Sequence, residues 1–168
     1  MTVVKMIVAC DEEGGIGRNN GIPWVCKEDM GYFRRTTIGH GKNAVIMGRN
    51  TYESLPLHFL PRRDNVVLSR TLERNEVHPN VSISKNITEA LERTADNEEV
   101  WVIGGSEVYS ALLSNYQHLI EEIHITRIKG SYSCDTFFST GNIEMECYKS
   151  EQLNEHTKVE IMSPKGSR

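Results

Sequence analysis

The sequence predicts an α/β fold: one domain with a mostly parallel sheet, about four flanking helices and an antiparallel hairpin at the end. Three observations carry that reading. Short β-branched, apolar runs recur at 3–10, 43–47, 65–69, 81–84, 99–103, 119–128, 144–149 and 156–162, each of strand length. Helical spacing fills most of the gaps, over 26–37, 48–54, 87–94 and 105–114, so the first five strands alternate with crossovers and should pair in parallel. The last forty or so residues carry two strand signals separated only by turns, which predicts an antiparallel hairpin on the sheet edge.

Taken in order, the first strand runs into a stretch at 11–22 with Gly14, Gly15, Gly17 and Gly21, followed by Pro23 and Trp24. Four glycines in twelve residues predict a mobile loop, a candidate lid. The helix over 26–37 puts Asp29 and Phe33 on one face and Glu28 with Tyr32 on another, because residues four apart are neighbours. A carboxylate on the apolar side of a helix is costly to bury without a partner, which points to a cationic or amidine-like ligand group. The alternative is an acid favoured by the positive end of the helix dipole. The helix at 87–94 opens with Asn86 and carries Glu89, residues suited to capping its start. The strand signals at 144–149 and 156–162 close the domain at residue 162, leaving 163–168 as a frayed tail.

The 168 residues make one ordinary domain, large enough to bury a core without metal or disulfide staples. A formal charge of -4, with lysines and arginines scattered, argues against nucleic acid or an anionic membrane as partner. Cys10, Cys26, Cys134 and Cys147 show no paired metal spacing. With no secretory signal or long apolar run, they predict free thiols in a reducing cytosol. The six histidines form no ligand pattern, so no metal is expected.

Ligands of open α/β sheets bind outside the carboxyl ends of the strands. Three such ends carry chemistry. Ile103 leads into Gly104, Gly105, Ser106, Glu107, Val108 and Tyr109, where two glycines let backbone approach a ligand and the next helix aims free N–H groups at it, as a pyrophosphate needs. Its competing reading is a tight strand-to-helix turn. Met47 leads into Gly48, Arg49, Asn50 and Thr51, a second glycine before a helix with cationic and hydroxyl groups at hand. Ser69 and Arg70 follow the third strand. Convergence of Arg49, Ser69 and Arg70 on one extra phosphate would favour NADP over NAD, whose ribose hydroxyl is more simply met by an acid.

These segments, with Ile16-Gly17, Ile22-Pro23-Trp24 and Asp29 with Phe33, stand in an order and spacing that resembles dihydrofolate reductase from about Val3 to the closing strands. The resemblance implies an eight-stranded sheet with four helices, and NADPH-dependent reduction of 7,8-dihydrofolate by a cytoplasmic monomer, with antifolate inhibitors among its small-molecule partners. It implies that Asp29 binds the pterin, that Thr126 joins its network and that Trp24 serves the catalytic site. Ile7, Ala9, Phe33, Leu55 and Leu60 would line the substrate pocket, and Arg63, or Arg62 beside it, would grip the glutamate α-carboxylate. On the cofactor side it implies Ala9, Ile16, Gly17, Gly48, Arg49, Asn50, Thr51, Ser69, Arg70, Lys85, Ile103, Gly104, Gly105, Ser106, Glu107, Val108 and Tyr109, with a cis bond between the two glycines. Two alternatives stand beside it: a flavin-pathway reductase of the same fold acting on a ribosyl-pyrimidine, and a nucleotide-binding structural or regulatory component with vestigial catalysis. The segment from Trp24 to Asp29 and Arg63 weigh against the first, and Asp29, Trp24 and Thr126 together weigh against the second.

Overall fold

In a computed structural model, residues 3–19 and 21–166 are described. Eight strands form one sheet in the order β5-β4-β3-β6-β1-β7-β10-β9, with β1 (Val4–Cys10), β3 (Ala44–Gly48), β4 (Asp64–Leu68), β5 (Val81–Ser84), β6 (Val100–Gly104), β7 (Ile120–Ile128), β9 (Met145–Asn154) and β10 (Thr157–Pro164). The helices are α1 (Lys27–Ile38), α2 (Arg49–Glu53), α3 (Ile87–Arg93) and α4 (Ser106–Asn115). The pairs from β5 through β7 are all parallel, and β10 is antiparallel to both β7 and β9. The expected architecture is therefore present. Asn86 caps α3, its side chain accepting the Glu89 N–H at 2.8 Å.

Alternation along each strand divides the core. On one face, Val4, Met6, Val8, Ile46, Val102, Ile123 and Ile125 pack with Leu112 and Leu113 of α4 and Leu91 of α3. On the other, Ile7, Val45, Met47, Val67 and Trp101 pack with Tyr32 of α1 and Tyr52 of α2. Burial on both faces explains why the central strands read as near-continuous apolar runs. Strand β7 departs from this: its α1-side residues Glu122, His124 and Thr126 are polar and buried.

Three expectations need correction. The glycine segment at 11–22 is not all loop, because β2 (Gly15–Gly17) pairs antiparallel with β8 (Thr136–Phe137) in a separate ribbon. A three-residue strand made of two glycines and an isoleucine carries no periodic signal, and its partner lies far along the chain. The strand expected over 144–149 extends to Asn154; its residues are largely exposed on the sheet edge, so apolar alternation could not mark its length. The tail expected over 163–168 begins inside a strand. Ser163 and Pro164 pair with Glu146 and Met145, Ser163 is buried, and the Lys165 N–H donates to the Glu144 carbonyl at 2.9 Å. Residues 167 and 168 lie outside the described residues. Among those described, no helix is long and apolar enough to cross a membrane.

Candidate active site

The strand order creates a crevice. After β1 the chain crosses to β3 by way of α1 on one face, and after β6 it crosses to β7 by way of α4 on the other. The connections part between β6 and β1, the topological position where open α/β sheets bind ligands. Ala9 of β1 pairs with Thr126 of β7, and Gly104 of β6 with Met47 of β3, so the expected residues at these strand ends share one rim.

On the α1 side of this rim stands Asp29, in the first turn of the helix and half-buried. Burial pushes its carboxyl above the ordinary aspartate value, and a hydrogen bond with the Thr126 side chain only partly opposes that shift. Thr126 itself is 1 % exposed. Ile7, Phe33, Leu55 and Leu60, expected in the substrate pocket, and Ile103, expected on the cofactor side, belong to the apolar cluster on the same face. The Trp24 ring is buried edge-on to Tyr132, with ring centroids 5.4 Å apart, and its indole N–H has no hydrogen-bond partner among the described residues.

Arg63 and Arg62 part company. Arg63 is half-buried, donating from Nη1 to Thr37 Oγ1 at 2.9 Å and from Nε to the Pro61 carbonyl at 2.9 Å. Burial, with Arg34 and Arg62 nearby, lowers its guanidinium to about 10, so it remains charged at neutral pH. Arg62 is exposed, on a backbone of φ 64°.

On the other side of the crevice, the peptide between Gly104 and Gly105 is cis, as the resemblance implied. Gly104 has φ 129°, and a Cβ there would lie 3.2 Å from Thr51 Oγ1 and 3.3 Å from the Tyr109 hydroxyl. Glycine is therefore required for both the conformation and the space. Tyr109 reaches across from α4 to donate to the Ile7 carbonyl at 2.7 Å, tying α4 to β1 beneath the glycines. Burial, then the nearby charge of Asp29, raises its phenol, so the hydroxyl stays a donor. Gly105 precedes α4 with no side chain capping the helix start, so its first N–H groups are not taken up by a cap. Val108 packs 3.1 Å from where a Gly48 Cβ would stand.

Arg49 and Ser69 do come together, through a residue that the strand-end reading missed. Arg49 Nη1 donates to Thr71 Oγ1 at 3.1 Å, and Ser69 Oγ lies 3.5 Å from the same oxygen. Arg49 also pairs with Glu53 at 3.1 Å. Arg70, Lys85, Asn50 and Glu107 are exposed around this end, whereas Ile16 packs on the α4 side of the sheet. Thr71 carried a detectable signal, a hydroxyl three residues beyond the end of β4 and next to Arg70.

The residue most important to the loop was also passed over. Asp11 is buried, and its carboxylate accepts from the backbone N–H groups of Glu13, Gly15 and Tyr132 at 2.9, 2.8 and 3.0 Å and from the Cys134 thiol. Burial alone would raise this acid, but the N–H groups outweigh it and hold its carboxyl below the usual value. Asp11, the β2–β8 ribbon and an Asp135 to Asn19 N–H bond of 2.9 Å dock the segment over 11–19 against 130–138. Two surface depressions, of about 420 and 440 Å³, lie elsewhere, around Arg127 and Lys158 and around Tyr52 and His78.

Comparison with known proteins agrees with this geometry. The family described as dihydrofolate reductase matches residues 3–163. The chain is similar to a dihydrofolate reductase of Candida albicans, 35% identical over 162 residues that cover 93% of this chain and 80% of the relative. It is similar to those of Drosophila melanogaster, 37% identical over 80% of this chain and 78% of the relative, and of Saccharomyces cerevisiae, 38% identical over 82% and 73%. With a half-buried helix acid, a glycine-lined crevice at the β1–β6 switch and a match over residues 3–163, the chain belongs to the dihydrofolate reductase family.

Proposed function

We propose that the chain reduces 7,8-dihydrofolate to 5,6,7,8-tetrahydrofolate with NADPH, in the crevice between β1 and β6. The observation that carries this is Asp29: a carboxylate kept half out of water, raised by that burial, hydrogen-bonded with Thr126 and set among Ile7, Phe33, Leu55 and Leu60. Its two oxygens suit paired hydrogen bonds from the pterin 2-amino group and the adjacent ring nitrogen. Thr126 orients the carboxylate, and the raised affinity for a proton supports protonation of N5 through a water or a pterin tautomer. Trp24 supplies the unpartnered buried donor beside α1, suited to hold that water.

The cofactor-side residues fit a dinucleotide with an extra phosphate. The glycine backbone at Gly104 and Gly105 admits close approach, the start of α4 offers free N–H groups to a pyrophosphate, and Arg49, Ser69 and Thr71 cluster for a 2′-phosphate, with Arg70 alongside. Ala9, Ile16, Gly17, Gly48, Thr51 and Ile103 line the remainder, and Lys85, Asn50 and Glu107 border it. NADPH, when bound, supplies the hydride to C6. The protein's part is to hold the pterin and nicotinamide rings in an apolar slot at reacting distance. Arg63 takes the glutamate α-carboxylate in preference to Arg62, because its guanidinium is already anchored at the cleft wall by Thr37 and Pro61. The four free thiols suit the reducing cytoplasm.

The direct experiment follows NADPH absorbance with and without dihydrofolate. Oxidation dependent on dihydrofolate and blocked by methotrexate is expected; oxidation driven instead by a ribosyl-pyrimidine, or none with either, would overturn the assignment.

A further inference from the structure

Strand β7 buries three polar side chains on the face against α1, and they occupy alternate positions: Glu122, His124 and Thr126, at 7, 6 and 1 % exposure. A buried polar stripe must find its partners within the protein. Thr126 finds Asp29. His124 finds Tyr32, one turn further along α1, with 2.6 Å between the phenol oxygen and Nδ1. Its Nε2 lies 2.9 Å from Glu122 Oε1, and the Tyr148 hydroxyl of β9 donates to the other oxygen of Glu122. Helix α1 is thus joined to β7 by two parallel rungs, Asp29 to Thr126 and Tyr32 to His124.

We propose that His124 is a positioning residue for the reaction: neutral, with Nε2–H donated to Glu122 and Nδ1 accepting the Tyr32 hydroxyl, it fixes the register of α1 on β7 and so the placement of the Asp29 carboxylate. The inference rests on the reductase reading for its kinetic consequence, but the rung itself is a property of the free protein.

The direction of each hydrogen bond follows from its neighbours. Glu122 would be raised by its burial, yet the Tyr148 hydroxyl, His124 and Lys5 more than reverse that and hold it ionised, so it can only accept and Nε2 must carry the proton. Nδ1 is then the acceptor, and Tyr32, whose phenol burial pushes up to about 12, is the donor. The groups facing His124 come from every element around it. Lys5 of β1 lies 3.6 Å from Glu122 and 2.5 Å from Glu99, and the Trp101 ring of β6 meets the imidazole edge-on at 4.8 Å between centroids. Tyr148 of β9 reaches Glu122, and Glu151 of β9 raises the Tyr32 phenol. Burial, aided by Lys5, outweighs the attraction of Glu122 and Glu99, so the imidazole titrates below its ordinary value and is neutral at physiological pH. Charging it in acid makes Nδ1 a donor, so the Tyr32 hydroxyl must turn and accept, and the rung reverses its direction while Thr126 is left in place.

The experiment compares wild type with Tyr32→Phe, His124→Phe and the double variant. Each single change is expected to slow hydride transfer at saturating dihydrofolate by about tenfold, as a displaced reacting geometry does, with NADPH affinity unchanged. The double variant should be no slower than either single one, since both remove the same rung. Losses that multiply, or single variants that keep the wild-type rate, would overturn the proposal. Tyr32→Phe, which only deletes an oxygen, guards against a His124→Phe that fails to fold. In the free wild-type protein, nitrogen NMR should find the proton on Nε2, and the carbon NMR titration of Asp29 should shift in Tyr32→Phe. The opposite tautomer or an unmoved Asp29 titration rejects the rung even if the chain lacks reductase activity, whereas an inactive wild type with both NMR signatures intact rejects only the reaction.

Discussion

At Asp29 the protein places a group whose stability and chemistry pull in opposite directions. Its carboxyl holds a proton more tightly in the folded chain than in the unfolded one, where it titrates near about 3.9. The native state therefore carries the extra proton in the window above that value, and stability falls as pH rises through the raised folded pKa. Asp29→Asn should accordingly raise the melting temperature at pH 7 while lowering turnover by about 100-fold or more, with NADPH affinity within about twofold of wild type. A calorimetric scan and steady-state rates test both halves; a variant that is active, or clearly less stable at pH 7, contradicts the account. The same shift gives the enzyme a rate that declines toward alkaline pH as Asp29 loses its proton. Arg63 works by binding alone. Arg63→Ala should raise KM for dihydrofolate about 10- to 100-fold, the value of a charged paired contact, and leave kcat nearly unchanged. If Arg62→Ala produces that effect instead, the carboxylate sits on the exposed neighbour.

Among the elements, the ribbon of β2 and β8 is the one whose integrity the loop depends on. A Cβ at Gly15 would stand 2.4 Å from Cys134 Cβ, with the Asp11 carboxylate 3.0 Å away. Gly15→Ala therefore cannot be absorbed without moving backbone, a cost of about 1–3 kcal/mol that falls on the docking of the loop. We expect amide exchange over 11–18 to accelerate and kcat to fall several-fold, while amides of β3 and β6 keep their protection. Unchanged exchange in the loop would show that the ribbon does not hold it. Asp11 adds a pH dependence of the opposite sign to Asp29. Its folded pKa is depressed, so its contribution is complete above about pH 4 and is lost as pH falls through the folded value, loosening the loop in acid.

For the molecule as a whole, the crevice exists because α1 and α4 cross on opposite faces of one sheet, so anything bound there bridges both halves of the core. Binding to the native state only should then stabilise the entire cooperative unit. NADPH at about 100 times its Kd is worth about 2.7 kcal/mol, or a rise of roughly 5–10 °C in melting temperature for a chain of this size. NADH at the same concentration should give a smaller rise, because it offers nothing to Arg49, Ser69 and Thr71. Equal shifts from the two would remove the basis for preferring the phosphorylated cofactor.

The local text of the chain determined the type and order of nearly every element, within a residue or two at most boundaries: the eight main strands, the four helices, the Asn86 cap and the shared face of Asp29 and Phe33. These follow from backbone periodicity and near-neighbour hydrogen bonding, which act over a few residues and so leave a trace in the sequence. What the tertiary structure alone decided are the partnerships between distant segments. The insertion of β6 between β3 and β1 makes the crevice, the pairing of Gly15–Gly17 with Thr136–Phe137 restrains the loop, and Asp11 reaches Tyr132 across 121 residues. Alternation could mark Glu122, His124 and Thr126 as one face of a strand, but only the packing of α1 shows that this polar face is buried. Such choices are settled by competition among all the strands and helices for apolar burial and for hydrogen-bond partners, a property of the whole chain that no window of a dozen residues contains.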